Sequence, residues 1–384
     1  MLKKDQAALE TEHTVNSSSY LYMAQELSHK KWKLCFSDGR ARQPRVVTID
    51  ARDLQGMKEQ IEKARKRFGM EAGVKVRSCY EAGRDGFWLH RFLTGKGIEN
   101  VVVDASSIEV NRRSKHAKTD RMDAEKLVRQ LIRYVQGEQT VWSVVRVPSV
   151  EAEDARQVHR EMEILKKERR SHRARMESLL ITHGIDIQVK SQFLKELDGL
   201  KIWNGEPVPE QLKARLVREY ERMRAAEADL RILKKQQQEQ VREAKTPAIE
   251  KVKLLQKLCS IGMTSSWTFV MEFFGWRTFE NRRQVAGALG ITPMPYQSGE
   301  SRREQGISRS GNRRIRAMAV EIAWMWLRLQ PDSKLSQWYQ ARFAGGGPRM
   351  RRIGIVAMAR RLMIDLWRYL ETGTVPEGAR MKAA

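Results

Sequence analysis

The spacing of apolar residues changes twice along the 384-residue chain, and these changes most restrict its fold. Residues 20–135 alternate strand-like and helix-like runs, whereas residues 151–243 carry single apolar positions three or four residues apart amid dense charge. Beyond residue 254, aromatic residues and glycines become frequent. Because the hydrophobic period reports secondary structure, we predict three domains of different class. The predicted segments are a flexible leader (1–18), an α/β domain (19–148), a helical spacer (149–250), a mainly helical C-terminal domain (251–372) and a tail (373–384).

The first domain is predicted to contain a mixed sheet. Three strands come first, at Tyr20–Leu27, Lys31–Ser37 and Arg45–Asp50. A helix at Leu54–Phe68, a strand at Val74–Tyr80, a helix at Phe87–Leu93, a strand at Ile98–Val103 and a helix around Ala117–Val135 follow. Hairpin strands followed by β–α units form the order that a ribonuclease-H-like fold requires.

The spacer has the pattern of two long amphipathic helices. Ala155, Val158, Met162 and Leu165 lie three or four residues apart, and a similar series begins at Leu216 after an interruption that contains glycine and proline. A narrow apolar stripe of this kind packs against one partner helix. The spacer therefore forms either an antiparallel helix pair or a coiled coil between subunits.

The formal charge of +25, from 72 Lys and Arg against 47 Asp and Glu, favours a polyanionic partner. Nucleic acid fits best; a ribosome-associated protein and an anionic membrane surface are the alternatives. The three cysteines lack metal-site spacing, which predicts reduced core thiols. Since the sequence shows neither a signal peptide nor a membrane span, we expect no membrane partner and a cytoplasmic, nucleoid-associated protein.

Four carboxylates stand at positions that suit metal-dependent chemistry. Glu26 falls late in the first strand, Glu81 follows the fourth, and Asp120 and Asp123 share one face of a helix through their spacing of three. Together they could hold Mg²⁺ at a phosphodiester. Each also has a structural interpretation, because acids favour the first turn of a helix and edge strands carry charge. Other acids that could substitute are Asp38, Asp50 and Asp104.

A second candidate site surrounds Ser298, in a segment whose prolines and glycines predict a structured loop. A Ser-Gly pair is more often a turn than a nucleophile. However, six arginines and one acid lie between Ser301 and Arg316, which suits phosphate binding. Asn312 can cap the following helix. The predicted nucleic-acid-binding residues are Arg302, Arg303, Arg309, Asn312, Arg313, Arg314 and Arg316.

Residues 255–264 are similar to a degenerate helix-hairpin-helix, a motif that presents backbone amides to phosphates. Ser260 stands where that motif usually has glycine. A plain helical turn packed under Trp267 explains the pattern equally well.

Taken together, these motifs resemble the DEDD-type insertion-sequence transposases, a family of bridge-RNA-guided recombinases related to the Piv-type DNA invertases. The resemblance spans most of the chain. It rests on Glu81-Ala82-Gly83, residues 118–124, residues 289–293, Ser298-Gly299, residues 306–312 and Arg316.

The resemblance implies a RuvC-like nuclease domain, a coiled-coil dimerisation spacer and a C-terminal transposase domain. It implies that Glu26, Glu81, Asp120 and Asp123 bind Mg²⁺ and that Ser298 is the nucleophile. The first acid of the family is usually aspartate, and the extra methylene of Glu26 changes the metal geometry.

The resemblance also implies partners. These are donor and target double-stranded DNA, a structured guide (bridge) RNA, and a homo-oligomer in which a dimer assembles to a tetramer. Each active site then combines the acids of one protomer with the serine of another. We therefore expect a DNA transposase or recombinase. The alternatives are a site-specific invertase of the same superfamily, a metal-only junction resolvase and a non-catalytic nucleic-acid-binding protein.

Overall fold

The computed structural model describes residues 20–40, 43–108, 119–243, 245–298 and 301–383, with the backbone alone for residues 295–298 and 301–305. The chain divides into two compact units, one up to Val147 and one from Pro148. The predicted leader lies outside the described residues.

The first unit is built on a five-stranded mixed sheet with the order β3-β2-β1-β4-β5. Strand β1 is antiparallel to β2, and β2 to β3, whereas β1, β4 and β5 run parallel. The strands are β1 (Tyr20–Leu27), β2 (Lys31–Ser37), β3 (Arg45–Asp50), β4 (Lys75–Glu81) and β5 (Glu99–Val103). The helices are α1 (Leu54–Phe68), α2 (Trp88–Gly95) and α3 (Asp120–Val135). The predicted mixed α/β fold is confirmed.

Both faces of this sheet are covered, because alternate residues of a strand point to opposite sides. Leu21 and Met23 belong to the cluster that contains residues of α1 and α2. Tyr22 and Ala24 belong to the cluster that contains Ala124 and other residues of α3. The central strands therefore bury residues on both sides, which is why β1 reads as an almost continuous apolar run.

The predicted core thiols lie mainly in this unit. Cys35 and Cys79 are buried in the cluster beneath α3, and all three cysteines are free. Burial raises the pKa of Cys35 to about 12, so this thiol stays protonated at neutral pH.

The second unit begins with a helix pair. A short helix, α4 (Val150–Asp154), precedes α5 (Gln157–Ile181); α6 (Phe193–Leu197) lies in the connection to α7 (Glu210–Glu243). In α5, His172 and Arg175 both bind Glu219 of α7, at 2.6 Å each. The single chain thus contains an antiparallel helix pair, one of the two arrangements predicted for the spacer.

The remainder of the second unit is mostly helical. Its helices are α8 (Pro247–Gln256), α9 (Met263–Phe269), α10 (Arg282–Leu289), α11 (Arg313–Leu329), α12 (Lys334–Tyr339) and α13 (Pro348–Thr372). Wide π-turns follow α9, at Val270–Phe274, and α12, at Gln340–Ala344. Large aromatic residues, among them Trp267, Phe273 and Trp326, fill the core. Within the described chain, no helix has the length and apolarity to cross a membrane.

Candidate functional site

Glu26 and Glu81 lie side by side at the carboxyl ends of two interior strands of the sheet. Strands β1 and β4 are parallel neighbours with Gln25 opposite Tyr80, so the two glutamates follow at the carboxyl ends of both strands. Glu26 is half-buried and Glu81 is exposed, and both line a pocket of about 90 Å³. By alternation with Ala24 and Cys79, both lie on the sheet face that α3 covers. The structure therefore brings together two of the four predicted acids.

Asp120 and Asp123 occupy the first turn of α3, as predicted. Thr119 caps this helix through an Oγ1 atom that accepts from the Met122 amide at 3.3 Å. Asp120 is exposed and Asp123 half-buried, and neither lines the pocket of Glu26 and Glu81. In the described parts of the chain, no group of three or more histidine, cysteine, aspartate or glutamate residues is arranged to hold a metal ion.

Sequence reasoning missed Asp85, which lines the pocket of Glu26 and Glu81. Its carboxylate is only 5% exposed and binds Arg52 at 3.3 Å and Arg84 at 2.9 Å. These bonds fix the loop that follows β4. Its position in the sequence could have identified it, because Asp85 lies in the loop at the carboxyl end of a parallel strand, where α/β folds place ligands.

The substitute acids have other surroundings. Asp38 is buried and accepts from the Arg40 amide at 3.0 Å. It follows the last residue of β2, which pairs with the start of β1, at the opposite end of β1 from Glu26. Asp50 is exposed and binds Lys31 at 2.7 Å. Asp104 accepts from the Ser106 amide at 2.9 Å. None of the three lines the pocket of Glu26 and Glu81.

The segment around Ser298 is a β-hairpin, not the predicted loop. Strand β6 (Pro293–Ser298) pairs antiparallel with β7 (Ser301–Ile307), and Ser298 pairs with Ser301 at the tip. Prolines fit because an isolated two-stranded ribbon has only edge strands, and a register shift occurs between Pro293 and Pro295. At about 3.4 Å per residue, β6 places Ser298 roughly 17 Å from the hairpin base.

Two segments that meet backbone to backbone hold the base of this hairpin. The amides of Ser308 and Arg309 donate to the carbonyls of Thr292 and Gly290, at 3.0 Å each. The hydroxyls of Thr292 and Ser308 lie 3.3 Å apart, and Ser308 and Ser310 3.1 Å apart. The sequence 289–292 thus anchors the start of the segment 308–312.

The predicted nucleic-acid-binding residues divide into several roles. Arg302 and Arg303 lie on β7, opposite Gln297 and Tyr296. Arg309 and Arg313 are exposed. Arg314 binds Glu163 of α5 at 2.7 Å.

Arg316 is half-buried and donates to the carbonyls of Leu289 and Ser310, at 3.3 and 3.2 Å. Burial and the nearby charges of Arg309 and Arg313 lower the pKa of its guanidinium. The basic segment therefore combines exposed arginines with one that fastens the hairpin base.

Asn312 caps α11, as predicted, and also reaches the protein interior. Its Oδ1 accepts from the Arg314 amide at 2.9 Å, and its Nδ2 donates to Glu272 at 2.9 Å. Glu272 is fully buried in the π-turn after α9. It also accepts from His159 at 2.9 Å and Arg160 at 2.7 Å. This buried network joins α5, the π-turn and the start of α11.

The network controls the charge of Glu272. Burial alone raises the pKa of a carboxyl, but the hydrogen bonds from His159 and Arg160 and the charge of Arg160 outweigh it. The pKa of Glu272 consequently lies well below its ordinary value of 4.5. The carboxylate stays ionised across the neutral range.

We expect this carboxylate to make stability depend on pH. Below 4.5 the unfolded chain protonates Glu272 while the folded chain does not, so stability is lost as pH falls toward the folded pKa. Urea unfolding at neutral pH and at about pH 3 would measure the loss. Glu272→Gln lacks this titration and should show a smaller drop; equal drops in both proteins would contradict the prediction.

The turn at 257–262 connects α8 to α9 and is packed within the second unit. Ser260 has a φ of 77°, the left-handed conformation for which glycine is the usual choice. The Cys259 amide donates to the Arg380 carbonyl at 3.0 Å, and the Lys382 amide donates to the Lys257 carbonyl at 2.7 Å. The predicted tail thus covers the turn, and the Cys259 amide is engaged within the protein.

Comparisons with known proteins agree with the resemblance to insertion-sequence transposases. Residues 252–339 match the model of the transposase IS116/IS110/IS902 family. Over 376 residues, 94% of each chain, the protein is 35% identical to "Putative transposase y4rJ" of Sinorhizobium fredii. It is 29% identical over 250 residues to "Putative transposase y4qE" of the same organism, covering 65% of this chain and 58% of that protein. The chain therefore belongs to the IS116/IS110/IS902 family of insertion-sequence transposases.

Proposed function

We propose that this transposase cuts and rejoins DNA with two sets of residues, the carboxylates of the first unit and Ser298 of the second. The observation that carries the proposal is the pairing of Glu26 and Glu81 at the carboxyl ends of adjacent parallel strands, on the sheet face covered by α3. Asp120 and Asp123 begin that helix. The sheet order supports a ribonuclease-H-like, RuvC-like domain.

The donor set fits Mg²⁺, because carboxylate oxygens are the ligands that this hard cation prefers. Glu26 and Glu81 share a pocket, so both can contribute oxygens to one ion. Asp120 and Asp123 would complete the set. When bound, Mg²⁺ polarises a phosphate and offsets the charge that develops on its oxygens.

Ser298 supplies the nucleophile in this proposal. Its Oγ atom loses a proton and attacks the scissile phosphorus, a phosphoserine bond forms, and the leaving DNA oxygen takes up a proton as a free hydroxyl. In the second step a DNA hydroxyl attacks the phosphoserine, and Ser298 is released. The exposed Arg309 and Arg313 offer positive charge to the DNA phosphates.

The partners follow from the same resemblance. We propose that a structured guide RNA selects the DNA by base pairing, and that a dimer assembling to a tetramer brings the carboxylates of one protomer to the serine of another. The excess of positive charge, +25 for the chain, supports the binding of several nucleic-acid strands.

A covalent-adduct assay tests the chemistry. The full chain is incubated with Mg²⁺, its co-purified RNA and end-labelled DNA, and protein-linked label is measured on a denaturing gel. We expect Ser298→Ala to abolish the adduct while RNA binding persists. Ser301→Ala, its partner across the hairpin, is the matched control and should retain the adduct.

The carboxylates are tested in the same assay. Asp120→Asn, Asp123→Asn and Glu81→Gln should each lower strand cleavage about a hundredfold or more, because each removes charge from the metal set. Asp50→Asn changes an exposed acid outside the pocket and should have no effect. Cleavage that survives Ser298→Ala would indicate a metal-only resolvase, and activity that survives loss of all four acids would overturn the proposal.

A further inference from the structure

A groove of about 970 Å³ opens in the second unit, lined by residues of α10, α11, α12 and α13, by Thr292 and by residues 374–377. This volume lies at the upper end of the range for ligand-binding pockets, about 300–1,000 Å³. Trp326 lines it and is fixed by a hydrogen bond of 2.9 Å from its Nε1 to Ser333. None of the predicted site residues lines the groove.

The groove is strongly cationic. Six basic side chains line it against two carboxylates, Asp365 and Glu377, which leaves a formal charge of +4. Lys334 and Glu377 bind each other at 2.7 Å, and Arg368 lies 3.7 Å from Asp365. The remaining cations are Arg282, Arg283, Arg360 and Arg361. Such a surface favours a ligand with several negative charges.

The groove also carries a platform formed by Trp338 and Arg361. The guanidinium of Arg361 lies over the Trp338 ring, 4.0 Å from the ring centroid. Phe343 meets the same ring edge-on at 5.3 Å. Arg361 is exposed, so its guanidinium is accessible to a ligand. Nucleic-acid bases stack on both aromatic rings and arginine planes.

We propose that this groove binds unpaired nucleotides of a single nucleic-acid strand. A base stacks on the Trp338–Arg361 platform, and the neighbouring phosphates bind Arg282, Arg283 and Arg360. A duplex fits poorly, because its base faces are already stacked on one another. The proposal takes from the proposed function only that a nucleic acid is the partner; it does not require Ser298 or Mg²⁺.

Fluorescence anisotropy with the full chain tests the proposal. The probes are labelled oligouridylate and oligothymidylate of about eight nucleotides, and a DNA duplex. We expect Trp338→Ala and Arg361→Ala to weaken single-strand binding about tenfold or more, while duplex binding changes little. Trp338→Phe should retain most of the affinity, since phenylalanine still stacks. The stronger of the two single-strand probes identifies RNA or DNA as the source.

Two matched variants control for charge and aromatic content. Arg352 is an exposed arginine on α13 that does not line the groove, and Trp203 is a tryptophan of the spacer connection with 79% of its surface exposed. Arg352→Ala and Trp203→Ala should bind single strands as the unaltered protein does. Because Arg361 is exposed, Arg361→Ala keeps the test informative if Trp338→Ala unfolds.

Three results would overturn the proposal. One is unchanged single-strand affinity in Arg361→Ala and in folded Trp338 variants, another is an equal loss of duplex binding, and the third is competition by an acidic peptide as effective as that by the oligonucleotide. The adduct assay with Ser298→Ala is run in parallel. If Ser298→Ala loses the adduct while the Trp338 and Arg361 variants keep full single-strand affinity, only the groove proposal is refuted. If Ser298→Ala keeps the adduct while the groove variants lose single-strand affinity, only the serine chemistry is refuted.

Discussion

Glu272→Ala is expected to destabilise the second unit by about 3–5 kcal/mol, the usual cost of removing one partner from a buried ion pair. The carboxylate is fully buried and accepts hydrogen bonds from His159, Arg160 and Asn312. Its removal leaves the buried His159 and the part-buried Arg160 and Asn312 without their acceptor. The helix α5, the π-turn and the start of α11 would then lose their shared anchor.

Urea unfolding followed by circular dichroism measures this effect. Glu163→Ala is the matched control, because Glu163 also binds an arginine, Arg314, but in an exposed pair whose contribution is about 0–1 kcal/mol. Glu272→Gln keeps the side-chain shape and one acceptor oxygen, and should fall between the two. If Glu272→Ala unfolds at the same urea concentration as Glu163→Ala, the network contributes little to stability.

The sheet could be predicted because its signals are local. Strands β1, β2 and β3 and helix α1 have the predicted bounds, since each is a short periodic run that ends at polar residues. Strand β4 begins and ends one residue later than predicted, so Glu81 is its last residue and not the residue after it. The first turn of α3 was likewise visible in the spacing of Asp120 and Asp123.

The hairpin and the buried network could not be predicted in the same way. The prolines in 293–298 indicated a loop, because proline is rarely found in central strands. The indication was wrong because both strands of this ribbon are edge strands, where proline is tolerated. Glu272 binds His159 across 113 residues of sequence, and no local pattern encodes such a contact. One signal existed: Glu272 is an isolated acid within the apolar run 269–274, and buried charges require partners.

Gly290→Ala is the substitution we expect to disturb the hairpin base most. Gly290 has a φ of +66°, and a Cβ atom there would lie 1.7 Å from the Ser310 carbonyl oxygen and 2.7 Å from Arg316. The left-handed conformation costs a non-glycine residue about 1–3 kcal/mol. The clash adds to this cost, because the two backbones must separate and break the bond of 3.0 Å from the Arg309 amide to Gly290.

Gly373→Ala isolates the contribution of the clash. Gly373 ends α13 with a φ of +73°, close to that of Gly290, but a Cβ atom there would have no neighbour within 4 Å. Its replacement should cost only the conformational strain, about 1–3 kcal/mol. The difference between the two variants in urea unfolding therefore measures the backbone contact at the hairpin base. Equal destabilisation would show that the two segments separate freely.

The functional consequence of Gly290→Ala follows from its place in the chain. Residues 290–292 precede β6, and residues 308–310 follow β7, so a displaced base moves the strand end at which Ser298 lies. We expect Gly290→Ala to lose the covalent DNA adduct at temperatures where its helical signal is intact, whereas Gly373→Ala retains it. Adduct formation by a folded Gly290→Ala protein would mean that the position of Ser298 is set by the bound nucleic acid and not by the hairpin base.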